Sequence, residues 1–253
     1  MGKMVLRTKL CDMLGIEYPI LCAGMGPTLI GEKTGSPVEL VVAVSEAGAL
    51  GVLGGSGFTI DELRDAIREI KSKTGKPYGV DILLPSRLSV SENTIQGLLE
   101  VPLSAILIKK IRIELEIPEV ELMIKLNTTT MRPNDAIKVC LEEKVPLFCA
   151  GLGNPGFMVE EAHANGVKVL AITGNAKNAQ RMARSGIDLL VAQGYDGGGH
   201  TGRIGTMALL PMAIDAASPV PVLAAGGIGD GRGLAAALAM GCVGVWVGTR
   251  FLA

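Results

Sequence analysis

Short apolar segments rich in β-branched residues alternate along the chain with segments of helical periodicity. Parallel strands buried on both faces give continuous apolar runs, and the crossover helices between them give an apolar stripe every three to four residues. The pattern therefore predicts an α/β protein with eight parallel strands. They are expected at 19–23, 50–54, 78–84, 146–150, 168–172, 188–192, 221–225 and 244–248.

Seven segments between these strands carry helical spacing, and many of them end in glycine just before the next strand, as helix C-caps do. Eight strands with seven helices predict a nearly complete TIM (β/α)8 barrel, which commonly occupies ~250 residues. We therefore expect one domain over 1–253. The helices are expected at 38–47, 61–72, 134–143, 155–164, 176–185, 208–216 and 231–240.

Two segments depart from the regular barrel. Residues 85–133 are too long for a simple crossover, so we interpret them as an insert after strand three. Within it, the alternation over 111–117 fits either an extra strand or an irregular helix.

The chain ends at Ala253, directly after strand eight, so the eighth outer helix is expected to be missing. Val245 and Val247 would then form an exposed apolar strip, which soluble monomers seldom tolerate. A neighbouring subunit in a homodimer or residues 1–12 could cover it. We expect instead that the chain is a fragment of a longer protein.

Charge and cysteine spacing exclude several classes. Twenty-four Lys and Arg against 25 Asp and Glu leave a net charge of −1, which predicts no nucleic-acid or anionic-membrane partner. The longest uncharged run, 233–249, is divided by Gly241 and Gly244 into a helix and a strand. The N-terminus has no signal-peptide pattern, and the five cysteines show no C-x-x-C spacing. We expect a cytoplasmic protein without a metal site.

The two histidines separate by position, because loops that follow barrel strands form the active-site mouth. His163 precedes a strand, at the opposite end, where a histidine near a helix C-terminus interacts with the helix dipole. His200 follows strand six behind the three glycines 197–199, which let a ligand approach the backbone. His200 is therefore the catalytic candidate.

Glycines after strands seven and eight predict a phosphate site. Gly226, Gly227, Gly248 and Thr249 can surround an anion with backbone N–H groups, and Arg250 could supply a counter-charge. The alternative is that Gly226 and Gly227 only form a tight turn. The G-x-G-x-x-G match at 197–202 is weak evidence for a Rossmann unit, because no helix is expected to start there.

Small residues dominate the other strand ends, which suits a flat ligand laid over the mouth. Asp81 and Gln193 are the polar exceptions, and Cys22 is expected to be a packed thiol rather than a nucleophile. Spacing and composition leave open whether the ligand is a flavin or a phosphorylated sugar.

Five sequence blocks resemble, in order, those of the nitronate monooxygenase family, formerly called 2-nitropropane dioxygenases. They are YPILCAGMG, VSEAGALGVLGG, YGVDILLP, LLVAQGYDGGGHTGRIGTMALLP and VPVLAAGGIGDGRGLAAALAMGCVGVWVGTRFL, which together span nearly the whole chain outside 85–133. Flavin-dependent enoyl-acyl-carrier-protein reductases are a sister group that shares the G-G-H and G-T-R-F blocks.

The resemblance implies a TIM barrel that holds FMN non-covalently and oxidises alkyl nitronates or nitroalkanes with molecular oxygen. His200 is the implied catalytic base. The implied cofactor-binding residues are Ala23, Gly24 and Met25 beside the isoalloxazine, Asp81 at its pyrimidine edge, Gln193 near the ring, Gly194, Gly198 and Gly199 in the adjoining loop, and Gly226, Gly227, Gly248 and Thr249 on the phosphate.

Two positions depart from the family pattern. Many relatives carry Asn in place of Asp81, and an acceptor-only carboxylate would bond different ring groups. Cys22 stands where Gln is common. The alternatives to nitronate oxidation are enoyl-thioester reduction with a reduced nicotinamide, a phosphosugar isomerase or lyase, which would want a Lys or Glu at a strand end, and a flavin-binding barrel with little turnover.

Overall fold

Eight parallel strands form the centre of the protein. The computed structural model describes residues 6–27, 32–84 and 133–253. The strands pair in the order β1-β8-β7-β6-β5-β4-β3-β2, and a parallel bridge between Leu21 and Leu50 joins the two ends into a barrel. The strands are β1 (Ile20–Cys22), β2 (Gly51–Gly54), β3 (Tyr78–Leu83), β4 (Leu147–Gly151), β5 (Lys168–Thr173), β6 (Leu189–Gln193), β7 (Val222–Ala225) and β8 (Gly244–Val247). The predicted TIM barrel is confirmed.

Helices surround the barrel, and the seven predicted ones are present with shifted ends. They are α2 (Val38–Glu46), α3 (Ile60–Lys73), α4 (Pro133–Glu142), α5 (Val159–Ala164), α6 (Ala176–Ala183), α7 (Thr206–Ala217) and α8 (Gly231–Ala239). The start predicted at 155 is a separate 3₁₀ turn, Pro155–Phe157, that precedes α5. Two further short helices, α1 (Lys9–Leu14) and α9 (Thr249–Leu252), were not predicted.

Alternation along each strand divides the core into two layers. Successive side chains of a strand point to opposite faces, so one set fills the barrel and the other packs under the helices. Leu170, Leu189 and Trp246 belong to the inner layer, and Phe148 and Val169 belong to the outer one. Parallel strands covered on both faces explain the continuous apolar runs in the sequence.

Helix α1 closes the end of the barrel where the strands begin. Leu10 and Cys11 are fully buried against the inner layer, and the Thr8 hydroxyl donates to the Val243 carbonyl at 2.6 Å. A Cβ on Gly244 would lie 2.5 Å from Leu10 Cδ2, so glycine at that position lets α1 pack against β8. Residues near the N-terminus thus cover the bottom of the barrel.

The expected apolar strip on strand eight is not present. Val245 and Val247 are only 1% and 9% exposed, because α8 contacts β8 and Phe251 packs against the outer layer. The single turn α9 follows the strand.

The predicted insert over 85–133, with its alternating segment 111–117, lies outside the described residues except for Pro133. The described residues belong to one compact unit, and the single domain with an insert stays a prediction. Within the described part of the chain, no helix has the length and apolar character needed to cross a membrane.

Candidate active site

The loop between β6 and α7 is tied to the mouth of the barrel by hydrogen bonds at both of its ends. The Gly194 N–H donates to the Ala225 carbonyl and the Tyr195 N–H to the Ile204 carbonyl, each at 3.0 Å. At its far end, the Thr206 N–H donates to Asp196 Oδ2 at 2.7 Å. The glycine-rich segment between these bonds is therefore fixed at the ends of β6 and β7.

Close backbone contact requires glycine in this loop. A Cβ on Gly194 would lie 2.3 Å from Thr206 Oγ1, and one on Gly226 would lie 2.7 Å from the same oxygen and 3.0 Å from the Gly197 nitrogen. The Thr206 hydroxyl lies against both glycines and donates to the Ala225 carbonyl at 3.3 Å. Glycine at both positions thus lets the ends of β6 and β7 pack closely around Thr206.

The turn after β7 is left-handed at two successive residues. Gly226 and Gly227 have φ angles of 102° and 70°, a region that residues with a Cβ rarely adopt. The turn alone therefore explains both glycines, so the phosphate site predicted there needs support from the neighbouring strand ends.

Residues at the ends of β1, β6 and β8 also lie close to one another. Gln193 Nε2 donates to the Gly198 carbonyl at 3.0 Å, and a Cβ on Gly198 would lie 3.3 Å from Thr249 Oγ1. A Cβ on Gly248 would lie 3.6 Å from Met25 Sδ and 3.7 Å from Ala23 Cβ. The structure therefore brings together the predicted residues of β1, β6, β7 and β8.

A buried serine holds the segment after β1, and sequence reasoning did not identify it. Ser36 Oγ accepts from the Met25 N–H at 2.7 Å and donates to the Ala23 carbonyl at 2.8 Å, and Ser36 is fully buried. A Ser-Pro pair ahead of a helix favours a turn, but no local pattern records that the serine hydroxyl reaches back to β1.

Asp81 lies on the inner face of β3, where it packs against Gly24 in the segment after β1. It is 7% exposed, and its Oδ1 has no hydrogen-bond partner. Burial raises the pKa of Asp81 to about 8, although a backbone hydrogen bond from Gly151 lowers the pKa in part. Loss of water therefore favours the neutral acid, which has a donor, over the acceptor-only carboxylate.

The two histidines lie at opposite ends of the barrel, as predicted. His200 is exposed in the β6–α7 loop, next to Gly199 with its φ of 71°. His163 lies in the last turn of α5, where its Nε2 is 2.9 Å from Asp188 Oδ2. The same carboxylate oxygen accepts from the Val169 N–H at 2.7 Å. His163 thus has a structural partner at the bottom, and His200 is the histidine at the mouth.

Cys22 is a packed thiol. It is fully buried, and burial raises its pKa to about 12, which excludes an appreciable thiolate fraction at neutral pH. All five cysteines are free and buried. Among the described residues, no group of three or more His, Cys, Asp or Glu side chains is placed to hold a metal ion.

The chain is similar to two Mycobacterium tuberculosis proteins over nearly its whole length. The chain is 38% identical to a Mycobacterium tuberculosis protein named as a monooxygenase, Rv1533, over 98% of the chain and 66% of that protein. It is 35% identical to a 5-hydroxy-7a-methyl-1-oxo-octahydro-1H-indene-4-carboxyl-CoA dehydrogenase of the same organism, over 98% of the chain and 56% of that protein.

A solved structure is also similar. The structure of a mutant of FabK from Thermotoga maritima superposes with a TM-score of 0.75 at 35% identity, over 98% of this chain and 66% of that one. The chain thus spans between about half and two thirds of the length of these relatives. The family model for nitronate monooxygenase matches residues 7–253. The chain therefore belongs to the nitronate monooxygenase family of oxidoreductases.

Proposed function

We propose that the protein is an FMN-dependent oxidoreductase that oxidises alkyl nitronates and nitroalkanes with molecular oxygen at the mouth of the barrel. One observation carries the proposal. Glycines at the ends of β6, β7 and β8 and the backbone after β1 meet at one place, where added Cβ atoms would lie within 2.3 to 3.7 Å of a neighbour. Such a glycine-lined surface suits a flat ligand bound through backbone groups.

The residues present fit FMN. Gly226, Gly227, Gly248 and Thr249 would hold its phosphate, with Arg250 as the counter-charge, because backbone N–H groups at this end of a TIM barrel favour an anion. The ring would lie over the ends of β1 and β6. The residues that would contact it are Ala23, Gly24, Met25, Gln193, Gly194, Gly198 and Gly199, with Asp81 beside Gly24.

His200 would supply the acid–base chemistry. A neutral nitroalkane must lose its α-proton before it can be oxidised, and an exposed histidine at the mouth is a suitable base, because imidazole takes up and releases protons near neutral pH. A nitronate is already an anion, so with that substrate His200 would mainly stabilise charge. Bound FMN would accept the electrons and pass them to oxygen.

The surroundings in the cell are part of the same proposal. Five free, buried cysteines fit a reducing compartment, so we place the protein in the cytoplasm, acting on a small-molecule substrate and oxygen. A homodimer is compatible with this arrangement. No nucleic acid or membrane is proposed as a partner.

A second candidate is reduction of an enoyl thioester with a reduced nicotinamide, the activity of the sister group. Two findings favour it: the structural similarity to FabK at a TM-score of 0.75, and the 35% identity to an enzyme named for a CoA thioester substrate. The same barrel mouth and the same flavin would serve both reactions, so only substrate turnover separates them.

The test compares the two reactions on one preparation. Oxygen consumption with an alkyl nitronate is measured beside the oxidation of reduced nicotinamide with an enoyl thioester. We expect oxygen consumption that depends on the nitronate and saturates with it. Nicotinamide oxidation that requires the enoyl thioester, without nitronate-dependent oxygen consumption, would replace the first candidate by the second.

A further inference from the structure

The carboxyl of Asp81 is the one buried acid on the inner face of the described barrel strands. Its neighbours on β3, Val80 and Ile82, belong to the outer layer, so alternation turns Asp81 inward. The residue is 7% exposed, and Oδ1 has no hydrogen-bond partner. Buried polar atoms are nearly always paired, so an orphaned one calls for a ligand or another explanation.

Glycines on the flanking strands keep side chains away from this carboxyl. A Cβ on Gly24, which follows β1, would lie 2.3 Å from Asp81 Cβ, so no other residue fits there without displacing the acid. A Cβ on Gly151, at the end of β4, would lie 3.5 Å from Oδ1. On these two sides the carboxyl therefore meets glycine backbone and no polar side chain that could pair with Oδ1.

Nothing charged faces Asp81 among the described residues. The neighbouring positions on β1 and β2 are glycine and apolar residues, and the titratable group facing it is the Cys149 thiol on β4. Burial and the nearby Asp81 raise the pKa of Cys149 well above its usual value, so that thiol is neutral. Without a cation, burial favours the neutral acid and raises the pKa of Asp81 to about 8.

We propose that Asp81 is a neutral carboxylic acid that donates its O–H to a carbonyl oxygen of the ligand bound at the barrel mouth. This inference rests on the proposed function, in which the ligand is FMN. Its ring would lie over the mouth, and its phosphate would be held across the barrel at β7 and β8. A protonated carboxyl and a carboxamide have nearly the same shape, and each offers a donor beside an acceptor. Asp81 in this state can therefore do what an asparagine would do.

The proposal has a consequence for pH. The ligand binds the protonated form, so affinity is constant below the pKa of the free protein and falls by up to tenfold per pH unit above it. With a pKa of about 8, FMN should bind about tenfold more weakly at pH 9 than at pH 7. This interval lies above the second phosphate pKa, which is near 6, so the charge of the FMN phosphate does not change.

The first measurement needs no flavin. The side-chain carboxyl resonances of 13C-labelled aspartate are followed by NMR in the flavin-free protein from pH 5 to pH 9.5, and Asp81 is assigned by its loss in Asp81→Asn. We expect a neutral acid at pH 7 that titrates near pH 8. A carboxylate already ionised at pH 6 would overturn the proposal whether or not the protein binds flavin.

The second measurement is the FMN dissociation constant, from quenching of FMN fluorescence at pH 7, 8 and 9. FMN binding by the wild type should weaken about tenfold from pH 7 to pH 9. Asp81→Asn should bind FMN at every pH as tightly as it does at pH 7. Asp81→Leu should bind more weakly throughout. Asp188→Asn, at the opposite end of the barrel, is the matched control and should follow the wild type.

Equal pH dependence in Asp81→Asn and the wild type would overturn the proposal, because the titrating group would then be another one. Asp81 could be neutral at pH 7 while neither the wild type nor any variant binds FMN. In that case the proposed flavin function is wrong, and the role of Asp81 as a donor to flavin is wrong with it. The NMR titration separates that result from a failure caused by an ionised Asp81.

Discussion

The two ends of the barrel contain similar residues in different surroundings. At the bottom, α1 covers the inner layer with Leu10, and His163 is paired with Asp188 at 2.9 Å. At the mouth, glycines line the strand ends, His200 is exposed, and Asp81 Oδ1 is left without a partner. At the bottom, the chain itself pairs the histidine and covers the apolar layer. At the mouth, the histidine and a carboxyl oxygen have no partner among the described residues of the chain, and we propose that a ligand binds there. Position on the barrel, rather than residue type, thus distinguishes the paired His163 from the exposed His200.

The largest effect should separate the two histidines. His200→Asn should slow turnover of neutral nitroalkanes by roughly 10²–10⁴-fold, the usual contribution of a general base, with less effect on a pre-formed nitronate. FMN binding should stay nearly unchanged. Initial rates of oxygen consumption with both substrates measure this difference.

His163→Asn is the matched control at the bottom. It removes the pairing with Asp188 and should change neither rate much. If it slowed nitroalkane turnover as strongly as His200→Asn, the assignment of the two histidines to opposite ends would be wrong.

The packing of α1 should matter for stability alone. Leu10 is fully buried, so Leu10→Ala should lower the free energy of unfolding by about 2–5 kcal/mol, because it leaves a cavity under the barrel. Denaturant unfolding checks the size of the loss. FMN affinity measured where the variant is fully folded should equal that of the wild type, and a large loss of affinity there would show that the two ends are not independent.

Two left-handed glycines distinguish strain from crowding. Gly226→Ala places a Cβ 2.7 Å from Thr206 Oγ1 at a φ of 102°, whereas Gly166→Ala at the bottom has a φ of 75° and no atom within 4 Å. Both should lose about 1–2 kcal/mol from the left-handed conformation. Only Gly226→Ala should also weaken FMN binding, by more than tenfold, in a fluorescence titration. Equal FMN affinities in the two variants would place the ligand away from β7.

Two buried serines give the smallest and best-matched comparison. Ser36 bonds the backbone of Met25 and Ala23 at the mouth, and Ser45 bonds that of Pro77 and Gly51 at the bottom. Ser36→Ala and Ser45→Ala should each lose about 1–3 kcal/mol of stability, because buried polar groups are left unpaired. Ser36→Ala should also weaken FMN binding a few-fold, since the Ala23–Met25 backbone is no longer fixed. A similar weakening in Ser45→Ala would contradict the separation of the two ends.

The sequence predicts the regular part of the fold because its signals are local. Buried strands appear in the sequence as apolar runs, and helix ends are marked by glycines. Gly166, for example, follows α5 and has a φ of 75°. Helix α1 is missed because its six residues are too few for a periodic pattern. Its position depends on contact with Gly244, more than two hundred residues away, which no local pattern records.

In the candidate site, too, the sequence predicts the features that depend on chain order but not those that depend on packing between strands. Strand order places His200, Gly226 and Gly248 at the mouth, because loops after barrel strands always share one end. The protonation of Asp81 is not readable from the sequence, since it depends on burial by residues from other strands. The covering of Val245 and Val247 likewise depends on how α8 and Phe251 pack.

The most direct test of a flavin site at the mouth is the identity of the cofactor that the purified chain releases on denaturation. FMN is expected, in a ratio approaching one per chain, because the proposed phosphate site lies at β7 and β8 and no separate Rossmann unit is present in the described residues to hold an adenine. Mass spectrometry of the released compound identifies it. Recovery of FAD, or of a phosphorylated sugar in place of any flavin, would contradict the proposed site.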